Sequence, residues 1–296
     1  MRAVTPVILL LGIVACGGSP RAATPPAPAP VRAPVPPARV LLRYHPRPGD
    51  RYNVVAEQVT ETSNDSGTVP VPASALKIRT FSHDSVLPPA GDTVRIRQVI
   101  DSIVPSDSGE AASLIASRMG EARGANGLLS LDDRMSMRSA SFSDRDGNST
   151  ALTASLAEAT RRFAIPLPDG MVAPGDTWST TVDAGFSKML PGMDSVSLKS
   201  WFRVDSILLT GADTSVRLAV RITFPTNPIN MTTGGLRLAM FMTGDVTGTQ
   251  WFSVTRGVLT RAALGGTIHI SAASPALGAE TLKLKVIQHT SREVVP

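Results

Sequence analysis

Leu76–Val104 reads LKIRTFSHDSVLPPAGDTVRIRQVIDSIV, and its reading decides the fold. Leu76 to Leu87 and Thr93 to Val104 alternate apolar and polar residues, the two-residue period of a strand with one covered face. Between them lies Pro88-Pro89-Ala90-Gly91-Asp92. Proline presets one backbone angle, glycine takes conformations closed to other residues, and aspartate hydrogen-bonds turn backbone. The stretch is predicted to be an antiparallel hairpin.

The same grammar runs outward in both directions. Val40–Tyr44, Arg51–Thr60, Val196–Leu209, Ser215–Phe224, Leu236–Met242, Thr247–Val254, Leu259–Leu264, Thr267–Ser271 and Leu282–His289 all read as strands. Two segments carry helical periodicity instead, Asp107–Arg123 and Asn148–Ala164. In the second, Leu152, Leu156, Ala159 and Phe163 fall on one face. Hydrophobic residues make up 42% of the 296-residue chain and aromatics only 4%, so the core must be largely aliphatic.

Four short motifs recur in order, which predicts a duplication. Pro48-Gly49-Asp50-Arg51-Tyr52 returns as Pro174-Gly175-Asp176-Thr177-Trp178, and Asp84-Ser85-Val86-Leu87 as Asp205-Ser206-Ile207-Leu208. Asp92-Thr93-Val94-Arg95 returns as Asp213-Thr214-Ser215-Val216-Arg217, and Phe142-Ser143 with Gly147 as Phe252-Ser253 with Gly257. The Pro-Gly-Asp motif reads as a strand starter, its aromatic opening the strand and plugging its end. The expected fold is mainly β: antiparallel strands in two similar halves, 40–164 and 165–296, forming an open barrel or sandwich with one or two covering helices.

The N-terminus is different in kind. Met1-Arg2 is followed by the apolar run AVTPVILLLGIVA at 3–15, the layout of a secretory signal peptide. A transmembrane helix needs about 20 residues, more than this run supplies. Ile13-Val14-Ala15-Cys16 resembles the lipobox of bacterial lipoproteins. That resemblance implies cleavage between Ala15 and Cys16, lipid on the Cys16 thiol, and a membrane as partner. Cys16 is also the sole cysteine, so no disulfide forms within the chain. Each buried methylene contributes about 0.8 kcal/mol, so two or three acyl chains anchor stably where one does not. Gly17 and Gly18 follow, and by analogy with lipoprotein sorting the outer membrane is the expected location. Residues 16–39 are Pro- and Ala-rich and form a tether. Some 20 such residues in polyproline II span roughly 60 Å. A lipobox, a Pro-rich leader and repeated Pro-Gly-Asp strand starts are together similar to uncharacterised bacterial lipoproteins, which implies no activity. The strand-rich layout with helices also bears a looser likeness to the open, helix-plugged half-barrel of outer-membrane lipoprotein carriers and receptors.

Local motifs for chemistry are missing. The net charge of +5 comes from scattered arginines without interleaved aromatics, so nucleic acid is not an expected partner. His45, His83, His269 and His289 lie far apart in sequence, and none has metal-ligand spacing. No nucleophile elbow, phosphate loop or dinucleotide fingerprint occurs. Asp132-Asp133-Arg134 reads as a solvated turn, and Ser143–Asn148 as a hairpin turn rather than a calcium loop. No cofactor, metal or catalytic residue is expected, and the chain is read as a non-enzyme. Flexible thioethers suit an adaptable apolar cavity. Met135 with Met137, and Met240 with Met242, are the candidate lining. The expected function is a membrane-anchored envelope lipoprotein binding a hydrophobic or envelope ligand, with a structural or interaction subunit of an outer-membrane assembly as the alternative.

Overall fold

The structure is a computed structural model that describes residues 37–68, 73–105, 120–162, 166–183, 196–225, 227–233, 236–273 and 281–295. Cys16, residues 1–15 read as a signal peptide, most of residues 16–39 read as a tether, and most of the 107–123 segment lie outside the described residues.

The first half comprises β1 (Val40–Leu41), β2 (Arg51–Asn64), β3 (Ser74–Ala90), β4 (Thr93–Pro105), β5 (Asn126–Leu131), β6 (Met137–Ser143) and α1 (Ala151–Arg162). The second comprises β7 (Met171–Val172), β8 (Thr177–Asp183), β9 (Ser197–Thr210), β10 (Asp213–Thr223), β11 (Ile229–Thr233), β12 (Leu236–Ser253), β13 (Val258–Ala273) and β14 (Leu282–Val295). One antiparallel 12-stranded sheet runs β6-β5-β4-β3-β2-β14-β13-β12-β10-β9-β8, with β11 on β12. It does not close into a barrel. β1 and β7 form a separate two-stranded sheet. The two halves therefore share a single sheet, joined where β14 pairs with β2.

The hairpin that opened the sequence reading is present, with a tighter turn than its composition suggests. β3 continues through Pro88 and Pro89, and Gly91, at φ +62, makes the reversal. Both prolines lie beyond Ser85, the last β3 residue paired to β2, so their missing N–H groups break no bond on that side. Two pairs of predicted strands turn out to be single long ones, β12 and β13. Gly244, Gly248, Gly265 and Gly266 interrupt their hydrophobic alternation without ending them. β5, β6, β7 and β11 carry too little alternation to be read from sequence.

Of the sequence echoes, the Pro-Gly-Asp turns match bond for bond. Gly49 N donates to Val86 O at 2.9 Å, and Val86 N to Asp50 O at 2.9 Å. Gly175 N donates to Val204 O at 2.8 Å, and Val204 N to Asp176 O at 2.9 Å. Gly49 and Gly175 sit at φ +92 and +95, a region that favours glycine. Asp50 and Asp176 each accept from the backbone three residues earlier, Arg47 N and Ala173 N. Tyr52 and Trp178 then open their strands and pack on the core, as predicted. Two other echoes are out of step. Val86 answers Val204, not Ile207, so Asp84 and Asp205 are not equivalent. Phe142 lies on β6, whereas Phe252 lies on β12, the strand that occupies the place of β5 beside β10. Turn geometry sets register, and one bulge per hairpin is enough to displace a motif.

α1 occupies the core of the predicted Asn148–Ala164 helix. Thr150 caps it: Thr153 N donates to Thr150 Oγ1 at 3.2 Å, and Thr150 N to Thr153 Oγ1 at 2.8 Å. Its buried side centres on Thr153 and Ala157, with Leu156 partly covered. Arg161 fastens it to β6 through Ala140 O at 2.6 Å.

Alternation assigns every strand to two faces. The inner face carries Phe252, Leu218, Val204, Val216, Val86, Ile96, Leu129 and Phe142, all in one contiguous core with Leu42, Ala157 and Leu167. Residues from β5 and β6 at one sheet end and from β9 and β10 at the other meet there. The sheet is therefore curled inward around this core, with α1 and the β1 segment filling that end. A second, smaller core of Val196, Ile229, Met242 and Ile268 lies at the opposite ends of the later strands.

Candidate ligand-binding face

The outer face is a water face. Lys199 lies over Trp201 at 4.1 Å, Arg217 and Arg261 flank Trp251 at 5.9 and 5.2 Å, and Arg79 covers Phe81 at 5.3 Å. Ion pairs run across it, including Arg221–Asp245 at 2.6 Å and Lys77–Glu57 at 3.0 Å. Guanidinium and ammonium groups over these rings keep their charge in solvent while their stems cover apolar surface.

The inner face is the reverse. Among the described strand residues, the ladder registers place only two charged side chains on it, Asp84 and Arg292. They meet each other, Arg292 Nη2 to Asp84 Oδ2 at 3.4 Å. Gln98 Nε2 also donates to Asp84 Oδ1 at 3.1 Å. Burial pushes the Asp84 carboxyl above its ordinary range, and Arg292, Gln98 and His83 pull the other way.

Between the two cores the inner face is only half covered. Leu76 and Ile78 on β3, Leu264 on β13 and Leu284 on β14 are half-buried and belong to neither core. Gln58 and Gly244 on the same face are exposed. These positions make a half-covered aliphatic strip along the inner face, with Asp84 and Arg292 toward the plugged end.

The candidate methionines divide between the cores. Met135 is buried and Met137 partly buried in the first; Met242 is buried and Met240 partly buried at the second. Met240 and Met242 share a strand face. Met135 instead occupies the β5–β6 turn at φ +60 and plays the part that Gly257, at φ +64, plays in the β12–β13 turn.

Other singled-out residues have structural roles. Asp132-Asp133-Arg134 is that β5–β6 turn, but it is a junction more than a solvated loop. Asp132 accepts from Arg134 N and Ser136 N at 3.0 and 2.8 Å. Asp133 O takes Tyr44 N at 2.6 Å, and Arg134 Nε donates to Leu167 O at 2.8 Å. Since His45 N reaches Gly257 O at 3.1 Å, the Tyr44-His45 segment pins the hairpin turns of both halves. Ser143–Asn148 links β6 to α1 and so is not a hairpin turn; Asp144 Oδ1 accepts from Asp146 N and Asn148 N.

The histidines do not converge. His83 pairs with Asp101 at 2.9 Å and His269 with Asp65 at 2.6 Å, both exposed. His289 lines a shallow depression of about 310 Å³ on the outer face with Glu57, Val59, Ala263, Gly265 and Ser291. Among the described residues no hydrogen bond links His289 to Ser291, and Glu57 is engaged by Lys77 and Arg79. No cluster of three His, Cys, Asp or Glu residues that could hold a metal occurs among the described residues.

The plugged end offers a direct check. The chain has two tyrosines, Tyr44 and Tyr52. Burial, then repulsion from Asp84, pushes the Tyr44 hydroxyl far up. Burial and the hydrogen bond to Asp50, 2.8 Å, push Tyr52 up to about 12. An unfolded tyrosine ionises near pH 10. Both groups therefore favour the fold below pH 10, and that advantage is lost as pH climbs through about 12. Ultraviolet titration of the native protein should show almost no tyrosinate at pH 11, and both in denaturant. Normal titration in the folded state would contradict the plugged end.

Comparisons with known proteins add little. No family model matches the chain. No curated protein matches it either. Among solved structures, Salmonella typhi OmpF in complex with daunomycin covers 82% of this chain and 98% of its own, at 6% identity and a TM-score of 0.27. A likeness of that size carries no argument. No helix among the described residues is long and apolar enough to cross a membrane.

Proposed function

We propose that this chain is a lipid-anchored envelope protein that holds a hydrophobic ligand along the half-covered inner face of its sheet. The observation that carries the ligand reading is the partition of the sheet. Its charged residues crowd the outer face, and its inner face keeps half-covered leucine and isoleucine around one ion pair. Half-buried aliphatic residues forgo part of the roughly 25 cal/mol per Å² that full burial provides. A ligand lying along Leu76, Ile78, Leu264 and Leu284 would recover it. The anchor reading rests on the Ile13-Val14-Ala15-Cys16 motif.

Purification of the full chain from its native membranes, followed by lipid mass spectrometry, tests both parts. A co-purifying lipid near one equivalent and a diacylglyceryl mass on Cys16 are expected. A lipid-free protein that also fails to take up acyl probes would remove the groove reading. An unmodified Cys16 would remove the anchor.

The interaction-subunit reading has its own observation. Leu41 and Met171 are cross-strand partners in the β1–β7 sheet and are 43% and 55% exposed. An apolar pair beside the tether suits a contact with another envelope component. The same purification reports it as a stoichiometric protein partner.

A further inference from the structure

Gln250 lies on β12, on the inner face, between Gly248 and Phe252. It is 2% exposed, and its Oε1 has no hydrogen-bond partner. Its cross-strand neighbours on that face are Leu218 on β10 and Ala262 on β13. None of these four residues has a polar side-chain atom to offer. A buried acceptor without a donor destabilises a fold, and methionine would fill the same length without that loss. The empty protein is therefore less stable for having glutamine here, which is the pattern of a position kept for something it binds.

The same row of the sheet continues to the one cation of the inner face. Ala262 pairs with Arg292 on β14, so Gln250 and Arg292 stand two strands apart with only a methyl group between. Two strand spacings are roughly 10 Å between backbones, within which two long side chains flank one small polar group. Arg292 makes two long hydrogen bonds, 3.4 Å to Leu259 O and 3.4 Å to Asp84 Oδ2. A guanidinium has about five N–H donors, so most of its capacity is uncommitted.

We propose that Gln250 reads the head group of the groove's ligand. Its Oε1 accepts a hydrogen bond from a head-group N–H of an acyl phospholipid, whose phosphate pairs with Arg292. The acyl chain runs from there over Leu264 toward the second core. This assignment rests on the groove reading above and names its ligand class: a phospholipid whose head joins an anionic phosphate to an N–H donor.

The test displaces a fluorescent acyl probe from the full chain with three lipids of equal chain length. Lysophosphatidylethanolamine has phosphate and N–H donors. Lysophosphatidylcholine has the same phosphate and the same free glycerol hydroxyl, without N–H. Monoacylglycerol has hydroxyl donors without charge. The ethanolamine lipid should displace the probe at about tenfold lower concentration than the choline lipid, the size of one good hydrogen bond. Gln250→Met should abolish that difference and raise the Tm of the empty protein by about 2–4 °C. Arg292→Gln should weaken both phospholipids about tenfold relative to monoacylglycerol. Equal displacement by all three lipids would overturn the head-group assignment and leave the groove intact. So would a Gln250→Met protein of lowered Tm that still prefers ethanolamine. Failure of the probe to bind at all would remove the groove reading, and this assignment with it.

Discussion

Gly266→Ala is expected to destabilise the protein by about 3 kcal/mol or more, a large effect for the addition of one methyl group. Gly266 stands mid-strand in β13, paired with Val246 on one side and Gln288 on the other. A Cβ there would overlap the Asp245 carbonyl oxygen and crowd the Val246 Cα. Both are backbone atoms of a strand held by ladders on either side, so no rotamer change relieves the overlap. Gly248 meets the Ala263 carbonyl in the same way, and Gly244, at φ +123, meets that of Thr267. Glycine within a strand marks a bend or a close backbone approach. Here three of them let β12 and β13 close on each other where the sheet curls. Gly127 is the contrast. A Cβ there would meet the Phe142 ring, a side chain that can shift, so Gly127→Ala should cost less. Urea unfolding of both variants measures the difference. A Gly266→Ala protein within 1 kcal/mol of the parent would show that β12 and β13 do not approach this closely.

Phe252→Ala is the second large effect, about 3–5 kcal/mol. Phe252 is fully buried in the core that gathers both ends of the sheet. Phe241 lies on the same strand with the opposite parity and is 42% exposed. Phe241→Ala should change stability by less than about 0.5 kcal/mol. The pair tests the face assignment on which the groove depends, because a one-residue slip of β12 would exchange the two outcomes. Equal losses from both variants would mean that the strand has no single covered face.

How much of this was legible beforehand depends on the range of the physics. The turn at Gly91 acts within a few residues and shows in sequence because its partners are close by; Ser143–Asn148 also shows as a turn, but not that it leads into α1. The Pro-Gly-Asp turns show twice, since the same local chemistry was needed at both strand starts. β5 was not legible, because its pattern is interrupted by Gly127, which answers to the ring of Phe142 rather than to a period. Of the candidate methionines, Met135 and Met137 pack in one core and Met240 and Met242 in the other. Nothing in the spacing of a chain reports which distant strands will meet.

The proposed anchor and the proposed groove therefore have different sources. Alternation and turn residues are local properties, and from them alone came the expectation of antiparallel strands; the motif ending at Cys16 is equally local and carries the anchor proposal. Their arrangement into one inward-curled sheet is a tertiary result. So is the meeting of Arg292 with Asp84, 208 residues apart, and the burial of Gln250 among apolar neighbours. Pairing β14 with β2 decided the first two, because that ladder joins the early strands to the last one on one face, and the ladders of β12 with β10 and β13 decided the third.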